Sequence, residues 1–467
     1  MEWKKVGTWI LRAGLTFYIL ILTWFVPPAV HKALHYCPVR PDGLAQADAL
    51  PSFARKYKMS CSQCHSGFPV LNAYGRQFKM NGFVREQGGT DGVLESQDKS
   101  LTTEVIMPWA AVIRSRPIDD GKGGVASQGS QMGATASPNP NGFQFQPLND
   151  VDAFIAGGNA ARHISYFGEL DANQAGGFAP SMGDIRLGYH PFAYLNVVAA
   201  RRNFFADDPY QTIASNESPT IANRATDLLM QGQGSISGNA MLTMQQSLSV
   251  NGQADLHGDS FLYYAVGATK DSDGGYQANS PTNASGRLAF DSGSGLMLGA
   301  FGTFGEERAV SQGAGAIGGN LGVDAGLGEV QHFQRGGFDA LYELGGFAAR
   351  GAFVYSQDYD KLLSVSDTNR AAYAELAYYY KRAELYPFLV PLVRENWYTT
   401  YNGSQQFNYL TAQVAHYFAP NLKGLLEYSV DTKTGEQGGT LADPGLGGTL
   451  AQVQRGNRTT LQFEVGF

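Results

Sequence analysis

The chain ends in TTLQFEVGF, residues 459–467, where apolar and polar side chains alternate without a break. Successive side chains of a strand point to opposite sides, so Leu461, Phe463, Val465 and Phe467 share one face and Gln462, Glu464 and Gly466 the other. An apolar face toward lipid and a polar face toward a lumen is the pattern of a membrane-spanning β-strand. Working back from the C-terminus, the pattern recurs at 426–431, with Leu426, Tyr428 and Val430 opposing Glu427, Ser429 and Asp431. It returns at 184–190, where Ile185, Leu187 and Tyr189 oppose Asp184, Arg186 and His190. At 163–171, Ile164, Tyr166 and Leu170 oppose His163, Ser165, Glu169 and Asp171.

Sixteen such strands are predicted, near 103–116, 150–159, 162–172, 181–190, 193–203, 243–254, 258–269, 286–291, 295–304, 333–343, 346–357, 370–381, 383–393, 406–417, 421–431 and 458–467. The connections provide an independent check, since bacterial barrels alternate short periplasmic turns with longer outer loops. Long connections at 117–149, 204–242, 305–332 and 432–457 are all odd-numbered, and tight ones at 160–161, 191–192, 344–345, 382 and 419–420 are all even-numbered. The predicted fold is therefore all-β, a transmembrane antiparallel barrel of about 16 strands over residues 101–467. Composition agrees, with 58 Gly, 24 Tyr and 27 Phe in 467 residues and 16% charged residues. Repeated apolar runs of about 20 residues, the mark of a helical membrane protein, do not occur. Nor is there a blade-length repeat to suggest a propeller.

Residues 1–47 read as a signal peptide: Lys4, Lys5 and Arg12 precede a short apolar run at 14–26, and Ala45 with Ala47 offers a small-residue cleavage site. An uncleaved inner-membrane anchor is the competing reading. Cys37 would be discarded with the signal. The formal charge of −7 argues against a nucleic-acid partner.

Between signal and barrel, residues 48–100 contain Cys61, Ser62, Gln63, Cys64 and His65, a C-x-x-C-H run. Two thiols on one turn reach the vinyl groups of a haem, and the adjacent histidine is held beneath the iron as proximal ligand. The segment is therefore a monohaem c-type cytochrome domain carrying one covalent haem c. A half zinc knuckle would need two further soft ligands, and a redox C-x-x-C is the other alternative. Phe53, Tyr57, Phe68, Leu71, Tyr74, Phe78 and Phe83 supply apolar cover, and 69–78 forms a short helix that Gly75 weakens and Gly82 ends. Met80 is the candidate distal ligand, since a Met/His pair raises the haem potential; Met59 lies too close to Cys61 to reach the opposite haem face. Packing is the alternative role for Met80. His163, His190, His257 and His416 fall at periplasmic strand ends, where each is either a contact to the haem segment or an ordinary interfacial residue.

The block comprising Pro51–Arg55, Cys61–His65, Pro69, Leu71–Asn72, Gly75–Arg76, Phe78–Lys79 and Gly82–Phe83 resembles the fused outer-membrane cytochrome-porins of iron-oxidising bacteria. The resemblance covers about 35 residues by sequence, and the barrel by architecture. It implies an oxidoreductase that takes electrons from extracellular Fe(II) and delivers them to a periplasmic carrier, a cytochrome c or copper protein, from a site in outer-membrane lipid. One centre cannot relay electrons by short hops across an apolar band about 25 Å tall, so the haem segment is expected in the lumen or at its periplasmic mouth. Inward Glu169, Asp171, Glu427 and Asp431 are the residues expected to guide Fe(II), which takes oxygen ligands; a polar porin lining is their plainer role. Asp207, Asp208, Glu306 and Glu307 are expected in outer loops as solvated charges. A porin with a structural or sensory haem, or an exporter of electrons to an outside acceptor, would share most of these features.

Overall fold

The computed structural model describes residues 51–57, 59–83, 93–94, 103–104, 109–121, 143–159, 163–173, 178, 180–202, 204–213, 218–222, 224–230, 246–270, 282–308, 330–360, 365–382, 386–400, 405–434 and 458–467. The expected signal peptide, 1–47, lies outside them. Among the described residues no helix is long and apolar enough to cross a membrane, and the strands form one closed barrel.

Its first strands are β1 (Trp109–Gly121), β2 (Phe143–Asn159), β3 (Ile164–Asn173) and β4 (Ser181–Phe192), followed by β5 (Leu195–Arg201), β6 (Gln246–Asp255), β7 (Phe261–Lys270) and β8 (Thr282–Asp291). Then come β9 (Leu296–Arg308), β10 (Val330–Leu344), β11 (Phe347–Asp360) and β12, which runs Val365–Tyr378 and continues as Tyr380–Arg382. The last are β13 (Tyr386–Thr400), β14 (Gln405–Ala419), β15 (Leu422–Thr434) and β16 (Arg458–Gly466). Both parts of β12 pair with β13, so the described residues hold sixteen barrel strands. Each pairs antiparallel with the next, and β16 closes on β1, with Phe467 and Ala111 exchanging backbone hydrogen bonds of 2.9 and 2.8 Å. Closure leaves no ladder edge, which hydrocarbon could not solvate.

The alternation read from sequence appears as alternating burial. On β4, Ile185, Leu187 and Tyr189 are exposed while Asp184, Arg186 and His190 are buried, and on β16 Gln462 and Glu464 are buried beside exposed Phe463. The exposed apolar face turns outward and the polar face turns into the lumen. β1 begins at Trp109, later than expected; Thr103–Glu104 pairs instead with Val93–Leu94 in a separate two-stranded piece. β2, β9 and β13 run past their expected ends at the long connections. Beyond the apolar band both faces meet water, so hydropathy loses its period while the ladder continues.

The connection from β5 to β6 folds into the barrel. It holds a 3-10 turn at Phe204–Asp207 and a helix at Ala225–Met230. The amides of Ile221 and Ala222 donate to Glu427 on β15, each at 2.7 Å, and Ala225 N donates to Asn396 Oδ1 on β13 at 3.0 Å. Arg394, wholly buried on β13, donates to Thr220 Oγ1 and to Ala222 O.

An outward position near the middle of a strand should reject charge. Phe338, 68% exposed on β10, changed to Arg is expected to destabilise the barrel by about 2–4 kcal/mol, against about 0–1 for Gln334→Arg nearer the strand end. Reversible urea unfolding in lipid vesicles measures both.

Candidate functional site

Residues 51–83 contain three helices, α1 (Pro51–Tyr57), α2 (Cys61–Cys64) and α3 (Ala73–Met80). Helix α3 starts later than the expected 69–78 because Val70–Leu71 pair with His65–Gly67 and Asn72 caps the helix, its Oδ1 accepting from Gly75 N at 2.9 Å. Phe53, Phe78 and Phe83 form a buried cluster that Tyr57 and Cys64 flank, with Phe53 centroids 5.1 Å from both partners. Gly75 permits helix–helix contact: a Cβ there would fall 2.0 Å from Cys64 O.

Cys61 and Cys64 lie on a single turn and are not joined by a disulfide. Burial pushes the Cys64 thiol from an ordinary 9.0 up to about 11. His65 Nδ1 lies 3.2 Å from Pro69 O. A carbonyl oxygen can only accept, so Nδ1 carries the hydrogen and Nε2 is the nitrogen with the lone pair, the one able to ligate a metal. Two thiols one turn apart and a histidine held in this tautomer fit a covalently attached haem: the cysteines would hold the porphyrin and His65 the iron.

The segment is tied to inward-facing groups on several strands. Tyr417 Oη and Lys423 Nζ donate to Phe68 O at 3.0 and 2.9 Å, Arg76 pairs with Glu343 at 2.8 Å, and Lys56 Nζ donates to Gly158 O at 3.0 Å. Arg186 lies over the Phe83 ring, 5.4 Å from its centroid. Gly82 has φ +68, and a Cβ there would sit 2.5 Å from the His190 imidazole, so both backbone and space require glycine. Gly158, Glu343, Tyr417, Lys423 and His190 all lie near short connections, at 160–163, 345–346, 420–421 and 193–194.

Met80 is buried with Phe204, Phe205 and Tyr210, in a different cluster from those holding Cys61 and Cys64. Met59 receives a hydrogen bond from Tyr74 Oη at 3.8 Å. Of the four turn-end histidines, His190 is buried and inward, bonded to Ser165 Oγ at 2.6 Å and Asn196 Oδ1 at 2.9 Å. His163 packs on Tyr189 and His416 on Phe418, while His257 sits in the turn at 256–260.

Glu169 and Asp171 meet Asp152, one carboxylate oxygen from each lying within 4.8 Å of the others. Asp152 stands directly opposite Asp171 in the ladder, a like-charge arrangement that is unfavourable unless neutralised. Arg114 relieves one side, bonding Asp152, Asp150 at 2.7 Å and Glu464 at 3.3 Å, while the buried Asp150 Oδ1 has no hydrogen-bond partner. Sequence reading missed Asp150 and Asp152, although QPLNDVDAF carries both at period two.

Two expectations are overturned. Glu427 does not stand free to guide a cation, because both its oxygens take the amides of Ile221 and Ala222. Asp207 and Asp208 are not solvated loop charges. Asp207 pairs with Arg186 at 3.1 Å and Arg202 at 3.4 Å; burial alone would push its carboxyl up, but these guanidiniums hold it below the usual range. Asp208, wholly enclosed, pairs with Arg287 at 3.1 Å. The infolding of their connection is the cause. Glu306 and Glu307 lie on β9, paired to β10, and not in a loop. The side chains of Asp431, Glu306 and Glu307 lie outside the described residues.

No protein-family model and no curated protein matches the chain. Among solved structures it is similar to the anion-selective porin from Comamonas acidovorans, at 11% identity and TM-score 0.50, covering 77% of this chain and 98% of that one. OmpT of Vibrio cholerae in its trimer form aligns at 10% identity and TM-score 0.49, covering 77% and 98%. The likeness is one of fold, a closed antiparallel porin barrel.

Glu427→Ala removes the acceptor of two buried amides, each worth about 1–3 kcal/mol when left unpaired. The Ile221 and Ala222 amides are expected to lose hydrogen-exchange protection while the strand ladders keep theirs.

Proposed function

We propose that the chain is an electron-transfer protein of the bacterial outer membrane, oxidising extracellular Fe(II) through one covalent haem c and passing the electron to a periplasmic cytochrome c or copper protein. The observation that carries this reading is the C-x-x-C-H turn, with its histidine oriented by Pro69 O, hydrogen-bonded to the inner wall at the short-turn end of the barrel. Residues 1–47 are the export signal, 48–100 the cytochrome segment and 101–467 the barrel. Cys61 and Cys64 hold the haem and His65 ligates its iron, giving the site a one-electron acceptor. Met80 is assigned a packing role, because ligation would withdraw it from Phe204, Phe205 and Tyr210.

The chain's own residues do three things in this reading. The ties from Tyr417, Lys423, Glu343 and Gly158 seat residues 51–83 as a plug in the lumen, shortening the path that a single centre must serve. The infolded connection fills the lumen beside it, so that Arg394, Asn396 and Glu375 are buried although an open pore would wet them. Asp152, Glu169 and Asp171 offer oxygen ligands to Fe(II) on its way inward, replacing Glu427 in that role. Fe(II) then becomes Fe(III) by giving up one electron to the acceptor. Short turns are periplasmic in such barrels, which puts the plug beside the soluble carrier.

Stopped-flow mixing of Fe(II) with the oxidised protein in lipid is expected to show haem reduction; absence of reduction at every pH tried would sink the proposal. In planar bilayers the protein should conduct far less than an open sixteen-strand porin, and a large steady channel would instead favour a permeable porin with a structural haem. Replacing Asp152, Glu169 and Asp171 with Asn, Gln and Asn should raise the Fe(II) concentration that half-saturates the reduction rate and leave the haem spectrum unchanged.

A further inference from the structure

The carbonyl that orients His65 has a second partner. Pro69 O also accepts from Gln211 Nε2 at 3.1 Å, and Gln211 Oε1 accepts the Leu71 amide at 2.6 Å. One side chain thus grips the backbone on both sides of residue 70, from a position 142 residues away in sequence. Gln211 is buried, and its φ of +59 places a non-glycine residue in the left-handed region. Such a conformation is disfavoured and persists only where surroundings impose it. They do so here: Arg224 Nη1 donates to Gln211 O at 2.9 Å, and Tyr373 Oη donates to Thr212 O at 2.9 Å.

We propose that Gln211 is a positioning residue for the proximal histidine, raising the reduction potential of the site by competing for Pro69 O. This rests on the haem reading above. A ligating imidazole gains electron-donating character when the hydrogen on its other nitrogen is held by a strong acceptor. Greater donation favours the oxidised metal and lowers the potential. A carbonyl whose oxygen already takes a hydrogen from Gln211 is a weaker acceptor for Nδ1–H, so His65 stays closer to neutral imidazole. The potential is thereby kept high, as an acceptor of electrons from Fe(II) requires. Through this contact the infolded connection of the barrel acts on the environment of His65.

The test is spectroelectrochemical titration of the haem-loaded protein. Gln211→Met, similar in length but without donor or acceptor, is expected to shift the midpoint potential downward with the haem still attached. Gln211→Asn, one methylene short of Pro69 O, should shift it in the same direction and serves if Gln211→Met does not assemble. Thr212→Val, in the same connection but without contact to Pro69, should leave the potential unchanged. An unchanged or raised potential in the Gln211 variants would overturn the inference, as would an equal fall in Thr212→Val, which would mean general loosening. A wild-type protein without covalent haem would overturn the haem reading itself.

Discussion

Hydrocarbon offers no partner to a backbone N–H or C=O, and most of the architecture follows from that constraint. Every spanning strand must find two neighbours, so the sheet closes, β16 returning to β1. Closure then divides the side chains into an outer apolar set and an inner polar set, and gives the inner set a narrow common space. Charges confined there must pair. Arg114 with Asp150, Asp152 and Glu464, Arg287 with Asp208 and Asp339, and Arg458 with Asp119 are the result. Buried ion pairs of this kind are weak grounds for stability, since desolvation opposes their attraction. Their better-supported role is geometric, fixing which segments can lodge in the lumen and at what height.

Two segments lodge there, and they meet at Pro69 O, at the Leu71 amide and where Lys79 Nζ donates to Asp208 O at 3.1 Å. Residues 51–83 are gripped from the wall near the short turns, while the β5–β6 connection hangs from Arg394, Asn396 and Glu427 at the level above. Pro69 O joins them, bonded to His65 from one segment and Gln211 from the other. In the proposed function this makes the barrel more than a container. The wall sets the position of the C-x-x-C-H turn, and the connection sets the environment of its histidine.

In the proposed function, a single redox centre would explain why the lumen is filled and not open. With no second centre to hop to, distance has to be reduced by bringing donor and acceptor to the same level of the barrel. In that reading the carboxylates on the β2 and β3 wall would take up cations while the buried turn carries the thiols and histidine.

The barrel was legible in the sequence because its signal is local. Period-two alternation and the parity of long and short connections depend only on neighbours along the chain, and all sixteen strands were found, with errors at strand ends, among them β1, whose expected first residues pair outside the barrel. The C-x-x-C-H run and its aromatic cover were legible for the same reason. What only the tertiary structure decided were contacts between residues far apart. Asp207 and Asp208 look like loop charges until their connection turns inward. Glu427 looks like a free carboxylate until two amides arrive from the same loop. Asp150 and Asp152 join Glu169 and Asp171 only through strand register, and Gln211 has no local mark at all. Alternation is set by the geometry of one strand, whereas the partners of a lumen side chain are set by which distant segment folds in against it.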